Sequence, residues 1–489
     1  MTLTAPAAAY FCHKDPPGTR VLFLHGHIAH YSADGARATV AFEGTRGCRT
    51  FQWNAASGRV DAQAAACSEP NSVRRLASAV VRLTPGSGAR PATLNGWPLP
   101  ARPATLAVDG RFAVFTDAGG GGLYALRLSD GHVGLLGPSR PHDTPRLTRA
   151  GVFYQDDEFK QDRREGIVRL KFVPTSGIAI VIDRAQRPLI TKGRISALAM
   201  DGPRVAIAAG DPSRNCDRVL YWNVAWRPVQ RISAPNGPTC VLRQRTAITR
   251  VAIGGFRAAW LRTAGSGQAI VAGSPKCQEW VIRRLQAGSG ADTVTAVVGD
   301  GQTLAFAIAR HERELRGTAE VAVISGSFRA VGVAARRGSP EQLAVGGGRI
   351  AILWDDGVVE VRGVRGRLVT ALQIGGARSL ALSGDRLFAV RGRRIDAYSL
   401  ENGRRTGTWR VSAELGGLDV EYGVAVLHSP HEVVGLDLAT GRDAVLGRTA
   451  GGIVDAQIEP AGVAYAYNAG VRGVARFVPI AAVMRALGR

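Results

Sequence analysis

Residues 384–403 read GDRLFAVRGRRIDAYSLENG, and this stretch holds the unit that the rest of the chain repeats. Gly384 leads the apolar run Leu387–Val390, and a second run, Ile395–Leu400, ends at Glu401-Asn402-Gly403. Asn-Gly accepts positive φ angles and therefore favours a tight hairpin turn. Alternating apolar and polar residues are typical of strands with one buried face. The stretch therefore predicts short antiparallel strands joined by tight turns.

The same glycine, often preceded by Asp or Gly and followed by an apolar run, recurs along the chain. Ten positions carry it: Gly35, Gly110, Gly151, Gly202, Gly255, Gly301, Gly348, Gly384, Gly423 and Gly462. From Gly110 onward these glycines lie 36 to 53 residues apart, which is the length of one four-stranded propeller blade. The sequence thus predicts an all-β fold, a β-propeller over residues 21–479. We favour eight four-stranded blades, and the pattern is compatible with seven to ten.

Three further expectations concern the limits of the repeat. The gap of 75 residues between Gly35 and Gly110 predicts an insertion or a degenerate blade near residues 66–105. The first strand is a candidate for completing the last blade and closing the ring. Residues 1–20 form an N-terminal segment, and residues 480–489 form a short C-terminal tail. We expect helix only at Ile480–Leu487 in that tail.

Two turn motifs resemble those of known secreted bacterial propellers. The stretch SADGAR at residues 32–37 is similar to the S-P-D-G turn of TolB-like proteins, with alanine in place of proline. The stretch LDLATGR at residues 436–442 resembles the L-D-x-x-T-G turn of quinoprotein-like repeats. The resemblance implies the propeller fold and no activity, because propellers host many unrelated functions. The chain lacks the tryptophan-docking signature of quinoprotein dehydrogenases, so that family's catalytic aspartate and calcium ligands are not carried over.

The chain is strongly basic, with 62 Lys and Arg against 39 Asp and Glu and a formal charge of +23. Such a balance permits binding to nucleic acid, anionic membranes or acidic polysaccharides. Only five of the basic residues are lysine, so compositional bias of a GC-rich genome is an alternative origin. Residues 361–411 hold eleven arginines against Asp385, Asp396 and Glu401. No aromatic stacking motif accompanies them, so nucleic acid is disfavoured as a partner.

Cysteine usage and the N-terminus predict the compartment. The six cysteines include no CxxC pair, which argues against zinc and redox motifs and favours disulfides in an oxidising compartment. We predict the bridges Cys48–Cys67 and Cys216–Cys240, because each pair flanks a predicted turn at equal distance. The partners of Cys12 and Cys277 stay open. The residues Ala5–Ala9 resemble the end of an export signal whose start is missing, so residues 1–20 are expected to be its remnant.

One histidine motif invites a metal interpretation. His25, His27 and His30 follow an apolar strand in a pattern similar to the H-x-H-x-D-H motif of metallo-β-lactamase-like zinc hydrolases. Ala29 stands where that motif has aspartate, and the βα units that carry its later ligands are missing. These three histidines are weak candidates for metal binding. We expect neither a resident metal nor a cofactor.

Three other segments have plain structural interpretations. The acidic residues Asp156, Asp157, Glu158 and Asp162 lack EF-hand spacing and are expected to form a solvated loop. The segment His428–Glu432 falls where a hairpin turn is due. Gly119–Gly122 precedes a strand and lacks the Gly-Lys-Ser end of a phosphate loop, so it is expected to be a hairpin.

These observations favour a non-enzymatic binding or scaffold propeller, monomeric and extracytoplasmic, whose partner is an unknown protein or polysaccharide. No stretch is long and apolar enough to span a membrane. The alternative is a hydrolase or lyase with carboxylates in the central channel, because residues from distant blades meet there without leaving a sequence motif. Carboxylates converging at one end of the channel would favour that alternative.

Overall fold

The computed structural model describes most of the chain in stretches separated by short gaps. The described residues are 15–44, 47–63, 83–84, 92–94, 96–99, 103–118, 122–139, 143–156, 167–185, 187–211, 215–225, 229–233, 239–241, 244–255, 257–274, 278–285, 292–301, 303–309, 316–323, 330–411 and 416–489.

Strands dominate these residues, and two helices accompany them. The strands before the first helix are β1 Arg20–His25, β2 His27–Asp34, β3 Arg37–Gly44, β4 Gly47–Asn54, β5 Arg59–Gln63, β6 Leu83–Thr84, β7 Thr93–Leu94, β8 Trp97–Pro98, β9 Pro103–Val108, β10 Phe112–Asp117, β11 Leu123–Arg127, β12 Val133–Gly137, β13 Arg146–Leu147, β14 Gly151–Asp156 and β15 Ile167–Pro174. The helices are α1 Thr175–Ala185 and α2 Ile480–Ala486.

The strands between the two helices are β16 Leu189–Thr191, β17 Ile195–Asp201, β18 Arg204–Ala209, β19 Arg218–Asn223, β20 Gln230–Arg231, β21 Thr246–Gly254, β22 Arg257–Ala264, β23 Gly267–Ser274, β24 Gln278–Leu285, β25 Thr293–Asp300, β26 Thr303–Ala309, β27 Arg316–Val323, β28 Ala330–Arg337, β29 Pro340–Gly346, β30 Arg349–Trp354, β31 Val358–Gly363, β32 Leu368–Gln373, β33 Ser379–Ser383, β34 Arg386–Arg391, β35 Arg394–Ser399, β36 Arg405–Arg410, β37 Gly416–Glu421, β38 Val424–His428, β39 Glu432–Asp437, β40 Asp443–Arg448, β41 Ile453–Glu459, β42 Gly462–Ala469 and β43 Arg472–Pro479.

Seven four-stranded antiparallel sheets form a closed ring. Their innermost strands are β17, β21, β25, β29, β33, β37 and β41, and each contacts the next, with β41 returning to β17. In the seventh sheet, β16 supplies the outermost strand by pairing with β43. The chain therefore enters the ring at the rim of the sheet where it later ends, and β16 fastens the two ends together.

Three more four-stranded sheets precede the ring in the chain. They are β2–β5, β9–β12, and β13–β15 with β1 at the outer edge, and β13 contacts both β2 and β9. Helix α1 packs against β11, β12, β14 and β15. Arg204 of β18 lies 3.6 Å from Asp117 of β10, and the Leu135 N–H donates to Ala225 O. These contacts attach the three sheets to the ring.

Apolar clusters lie between neighbouring sheets and hold them face to face. Trp260, Val271 and Ile253 pack with Ala206 and Val219 between the first two sheets of the ring. Trp222, Trp260 and Trp354 are fully buried. Each sheet has two apolar faces to cover. Burying large aromatic side chains between neighbouring sheets stabilises the seven-sheet ring, because it removes apolar area from water.

The propeller prediction is confirmed, and several details differ. Ten four-stranded sheets are described, seven of them in the ring, so the favoured count of eight is not confirmed. The first strand, β1, pairs with β15 and does not complete the last sheet, which β16 completes. Helix α2 lies where a short helix was expected. Helix α1 was missed, because its residues TSGIAIVIDRA include five β-branched residues that favour strands.

The segment near residues 66–105 was expected to hold an insertion or a degenerate blade. Its described residues include the two-residue strands β6, β7 and β8, which form a small three-stranded sheet. The limits of this segment, and of the domains, stay predictions.

Candidate functional site

A cavity of about 580 Å³ runs along the centre of the seven-sheet ring, lined by all seven innermost strands. Small side chains leave this space open. Two residues before their ends, four of the strands carry Ala199, Ala252, Ala344 and Ala381. These alanines pack in the apolar clusters between the sheets, so no bulky side chain projects into the channel from these four positions.

The remaining lining includes a wall of acidic residues on two neighbouring strands. We call Asp419 and Glu421 of β37, together with Asp455 and Glu459 of β41, the acidic wall. Residues two or four apart on a strand point to the same side. The alternation therefore places these carboxyl groups on matching faces of adjacent strands.

Two carboxylates from other strands join the acidic wall at one end of the channel. Asp201, Asp300, Glu421 and Glu459 are each the last residue of an innermost strand, directly before a two-residue turn. Because the innermost strands run the same way through the ring, all four lie at the same end. Asp419 lies two residues before the end of β37, and Asp455 lies farther along the channel, beside Gly417 near the start of β37; with these two the carboxyl groups of the cluster number six.

Several members of this cluster accept hydrogen bonds from backbone N–H groups of the next sheet. Asp419 Oδ2 accepts from Ile458 N at 2.9 Å, and Glu459 Oε2 accepts from Gly202 N at 3.1 Å. Asp201 Oδ2 accepts from Gly255 N at 2.5 Å. These hydrogen bonds join neighbouring sheets, so Asp419, Glu459 and Asp201 have a structural role.

Glu421 differs from the other wall residues, because its carboxylate makes no hydrogen bond with the described residues. Burial, with the nearby charges of Asp419 and Asp300, raises its pKa to about 7. Glu421 is therefore the wall residue whose carboxyl group is free to engage a ligand.

The other carboxyl groups of the cluster also have raised pKa values. Burial raises the pKa of Asp455 to about 7 and that of Asp419 to about 6. Burial also raises the pKa of Asp300, Glu459 and Asp201. Among the described residues, the one ion pair of these six groups joins Arg204 to Asp201 at 3.6 Å. Too few cations reach the cluster to balance it, and raised pKa values follow.

Arg250 of β21 is a cation in the same cavity. It makes no ion pair with the residues that the structure describes, and burial lowers its pKa. Among its described lining residues the cavity thus carries acidic residues on β25, β29, β37 and β41 and one basic residue on β21.

The structure separates the three candidate histidines. His25 ends β1, which belongs to the sheet of β13–β15, whereas His27 and His30 lie in β2 of another sheet. The intervening Gly26 has a φ of 144°, and a Cβ there would lie 2.2 Å from Glu43 O, so this corner requires glycine. Within the described ranges, no group of three or more His, Cys, Asp or Glu residues is arranged to hold a metal ion.

The cysteine predictions have two outcomes. Cys216 and Cys240 form a disulfide with a Cα–Cα distance of 5.6 Å, which ties the chain before β19 to the chain after β20. Cys48 is also disulfide-bonded, but Cys12, Cys67 and Cys277 lie outside the described residues. The Cys48–Cys67 pairing stays a prediction.

The other candidate segments fall as follows. Asp156 is buried against Lys171 Nζ at 2.8 Å, so it is not part of a solvated loop; Asp157, Glu158 and Asp162 lie outside the described residues. The segment His428–Glu432 is a tight turn, in which Ser429 N donates to Glu432 O. Asp117 N donates to Gly122 O, so β10 and β11 form the expected hairpin around residues 119–121, which are not described.

The acidic wall was not found from the sequence, although its signal is visible there. The acid precedes the turn glycine directly at Asp201-Gly202 and Asp300-Gly301, and it precedes Gly423 by two residues at Glu421. The structure places these acidic residues at the ends of the innermost strands, directly before the turns to the second strands.

Comparison with known proteins found likeness to solved structures and to nothing else. Neither a family model nor a curated protein matches the chain. Solved structures that resemble it include WD40-like propellers. They include a chain of the mitotic checkpoint complex (13% identity, TM-score 0.44, covering 60% of this chain and 95% of that one). Sqt1 of Saccharomyces cerevisiae is 11% identical with a TM-score of 0.39, and the match covers 60% of this chain and 98% of that one. Human WBSCR16 is 11% identical with a TM-score of 0.40, and the match covers 58% of this chain and 87% of that one. Likeness at this level does not extend to function, and the TolB-like and quinoprotein-like assignment stays a prediction.

Proposed function

We propose that this protein is a binding propeller whose ligand enters the central channel and presents a cationic group to the acidic wall. The carrying observation is a cavity of about 580 Å³ lined by Asp300 and by all four residues of the acidic wall, five carboxyl groups that make no ion pair with the described residues. An ammonium or guanidinium group would form charge-assisted hydrogen bonds with Glu421, which has no such bond within the described residues.

The hydrogen bonding of the wall favours binding over turnover. Asp419 and Glu459 hold the next sheets through backbone N–H groups, and Asp455 accepts from Ala456 N at 2.8 Å. Carboxylates fixed in this way are poorly placed to attack a substrate or to exchange protons with it. Glu421 is the one wall carboxylate without a hydrogen bond to a described residue, so the wall offers it no second free carboxylate as a catalytic partner.

The location that we propose is extracytoplasmic. The Cys216–Cys240 disulfide and the bonded state of Cys48 support an oxidising compartment. No helix among the described residues has the length and hydropathy to cross a membrane.

Isothermal titration calorimetry with spermidine as probe tests the ligand class. We expect tighter binding at pH 8 than at pH 6, because carboxyl groups with pKa values of about 6 to 7 gain charge over that range. The Glu421→Gln variant should bind about tenfold more weakly at pH 8, through the loss of one charged hydrogen bond. Arg250→Gln is the matched control in the same cavity and should bind at least as tightly as the wild type. Absent binding, or equal affinity of wild type and Glu421→Gln, would contradict the proposal.

A hydrolase or lyase is the second candidate, and one observation favours it. Glu421, with a pKa of about 7, lies near Asp419, with a pKa of about 6, and a general acid near neutral pKa beside a second carboxylate suits acid–base chemistry. A screen against glycosidic, lactone and ester substrates tests it. Turnover that Glu421→Gln abolishes and Arg250→Gln retains would establish the enzyme and replace the binding proposal.

A further inference from the structure

Three arginines stand side by side across one sheet of the ring, at the end of the sheet away from the acidic wall. Arg391 of β34 is directly opposite Arg394 of β35, and Arg394 is directly opposite Arg410 of β36. Directly opposed residues have Cβ atoms about 5 Å apart, so the three side chains form a line about 10 Å long. We call these residues the arginine row.

A single buried carboxylate lies beneath the row. Asp396 is 0% exposed and occupies the next position on the same face of β35. Its Oδ2 accepts from Arg391 Nε at 2.9 Å and lies 3.2 Å from Arg394 Nε, and its Oδ1 accepts from Thr408 Oγ1 at 2.8 Å. Asp396 thus fixes two guanidinium groups of the row from below.

The hydrogen bonds to Asp396 outweigh the effect of burial. Burial alone would raise the pKa of Asp396, but bonds from Thr408 and Arg391 and the charges of Arg391 and Arg394 lower it. The carboxylate therefore stays charged and holds its arginines at any pH near neutrality. The arginine side chains remain partly open to solvent, 26% for Arg391 and 40% for Arg394.

One buried carboxylate does not balance three arginines. Like charges directly opposite on neighbouring strands destabilise a sheet, and Arg410 makes no ion pair within the described part of the chain. Elsewhere an exposed arginine such as Arg448 pairs with one carboxylate, Glu432, at 2.8 Å. Genomic bias would scatter arginines over the surface, whereas here three share one line and two of them share one buried carboxylate.

We propose that the arginine row binds an anionic polysaccharide through its carboxylate or sulfate groups. A planar guanidinium matches such oxyanions with two parallel hydrogen bonds, and a line of three suits successive charges along a polymer. Arg393, exposed in the turn before β35, and Arg405, with 53% of its side chain exposed, extend the positive surface on either side. This site is independent of the channel proposal.

The aromatic residues of the same sheet favour a polysaccharide over nucleic acid. Single-stranded nucleic acid is held by bases stacking on exposed rings. Trp409 turns its ring towards the core beside Phe388, and its Nε1 donates to Leu438 O at 3.1 Å. Neither of these two rings lies beside the row, and Tyr398, on the same face of β35 as Arg394, packs against the apolar cluster of the neighbouring sheet.

Affinity measurements with dextran sulfate, and with uncharged dextran as reference, test the proposal on the full chain. Arg394→Gln/Arg410→Gln should weaken binding at least about tenfold through the loss of two charged contacts. The control Arg472→Gln/Arg485→Gln removes the same charge from exposed positions on β43 and α2 and should change affinity less than about twofold. An equal loss in both variants would show that only net charge matters and would overturn the proposal.

A second variant separates an organised site from general attraction. Asp396→Asn makes the protein more positive by one charge, yet it should bind dextran sulfate more weakly, because the guanidinium groups lose their anchor. Stronger binding by a folded Asp396→Asn protein would contradict an organised site. An oligothymidylate that binds the row as tightly as dextran sulfate would overturn the assignment to polysaccharide.

Discussion

Glu421 links the chemistry of the channel to the stability of the ring. Its pKa of about 7 lies above the ordinary value of 4.5, so the folded state holds the proton more tightly than the unfolded state does. The stability contributed by this group is present at low pH and is lost as the pH rises through 7. Replacement by an uncharged isostere should remove that loss.

We therefore expect Glu421→Gln to be more stable than the wild type at pH 8 by about 2 to 3 kcal/mol and nearly equal to it at pH 4.5. Urea unfolding at the two pH values measures both free energies. A difference that does not change between the two pH values would show that Glu421 ionises normally in the fold.

Lys171 is a second buried charge, in the sheets that precede the ring. Its Nζ lies 2.6 Å from Asp15 Oδ1 and 2.8 Å from Asp156 Oδ2, and the residue is 1% exposed. Burial would lower its pKa, but Tyr154, Asp156 and Asp15 outweigh burial and hold the pKa above its usual value. The ammonium group is thus charged throughout the neutral range.

Replacing Lys171 by methionine should cost about 3 kcal/mol, because it leaves Asp156 buried without its nearest cation. Thermal unfolding of the full chain measures the loss. Lys192→Met is the control, since Lys192 is exposed, and it should leave the transition within a degree or two. Equal melting of both variants would contradict a structural role for the buried ammonium group.

At the scale of elements, the ten glycines mark the ten described four-stranded sheets one by one, although the pattern favoured eight blades. Each of the ten glycines precedes or begins the second strand of one of the ten described four-stranded sheets. The local signal is strong because a tight turn needs the positive φ that Gly202, Gly301 and Gly384 adopt. Which sheets share a ring depends on packing between distant strands, and no turn residue encodes it.

The site was less visible for the same reason. Asp201, Glu421 and Glu459 are far apart in sequence and meet only because the ring closes. Closure depends on β16, a three-residue strand too short to stand out from the loops around it. The arginine row was visible only as a basic stretch, because its alignment requires the register of three strands.

The contact between β16 and β43 should be sensitive to a single methyl group. A Cβ on Gly473 would lie 2.4 Å from Ile195 Cγ1 and 2.6 Å from Thr191 Oγ1. Gly473→Ala should therefore push β16 from the ring and cost about 1 to 3 kcal/mol. Gly452→Ala is the control, since nothing lies within 4 Å of a Cβ there. Urea unfolding compares the two, and a Gly473→Ala protein as stable as the control would argue against tight closure.

At the scale of the whole molecule, the two proposed sites lie at opposite ends of the ring. The innermost strands finish at the acidic end, where β33 turns into β34, and β34 then runs to Arg391 at the other end. An overall charge of +23 therefore conceals a negative channel end. A cationic ligand and an anionic polymer would approach from different sides without competing.

The ring encloses its own contacts, so we expect residues 187–489 to fold without the preceding sheets. All seven innermost strands and the closing strand β16 lie within this fragment. The fragment would lose the Asp117 contact of Arg204, the hydrogen bond from Leu135 N to Ala225 O and the contact of β8 with α2. The matched control is residues 194–489, which lacks β16 and leaves β43 as an uncovered edge.

Far-UV circular dichroism and size-exclusion chromatography should show a monomeric, strand-rich 187–489 fragment that binds spermidine like the full chain, and a less stable or associating 194–489 fragment. Failure of 187–489 to fold would mean that the three preceding sheets and the ring form one cooperative unit, in line with a single propeller domain over residues 21–479.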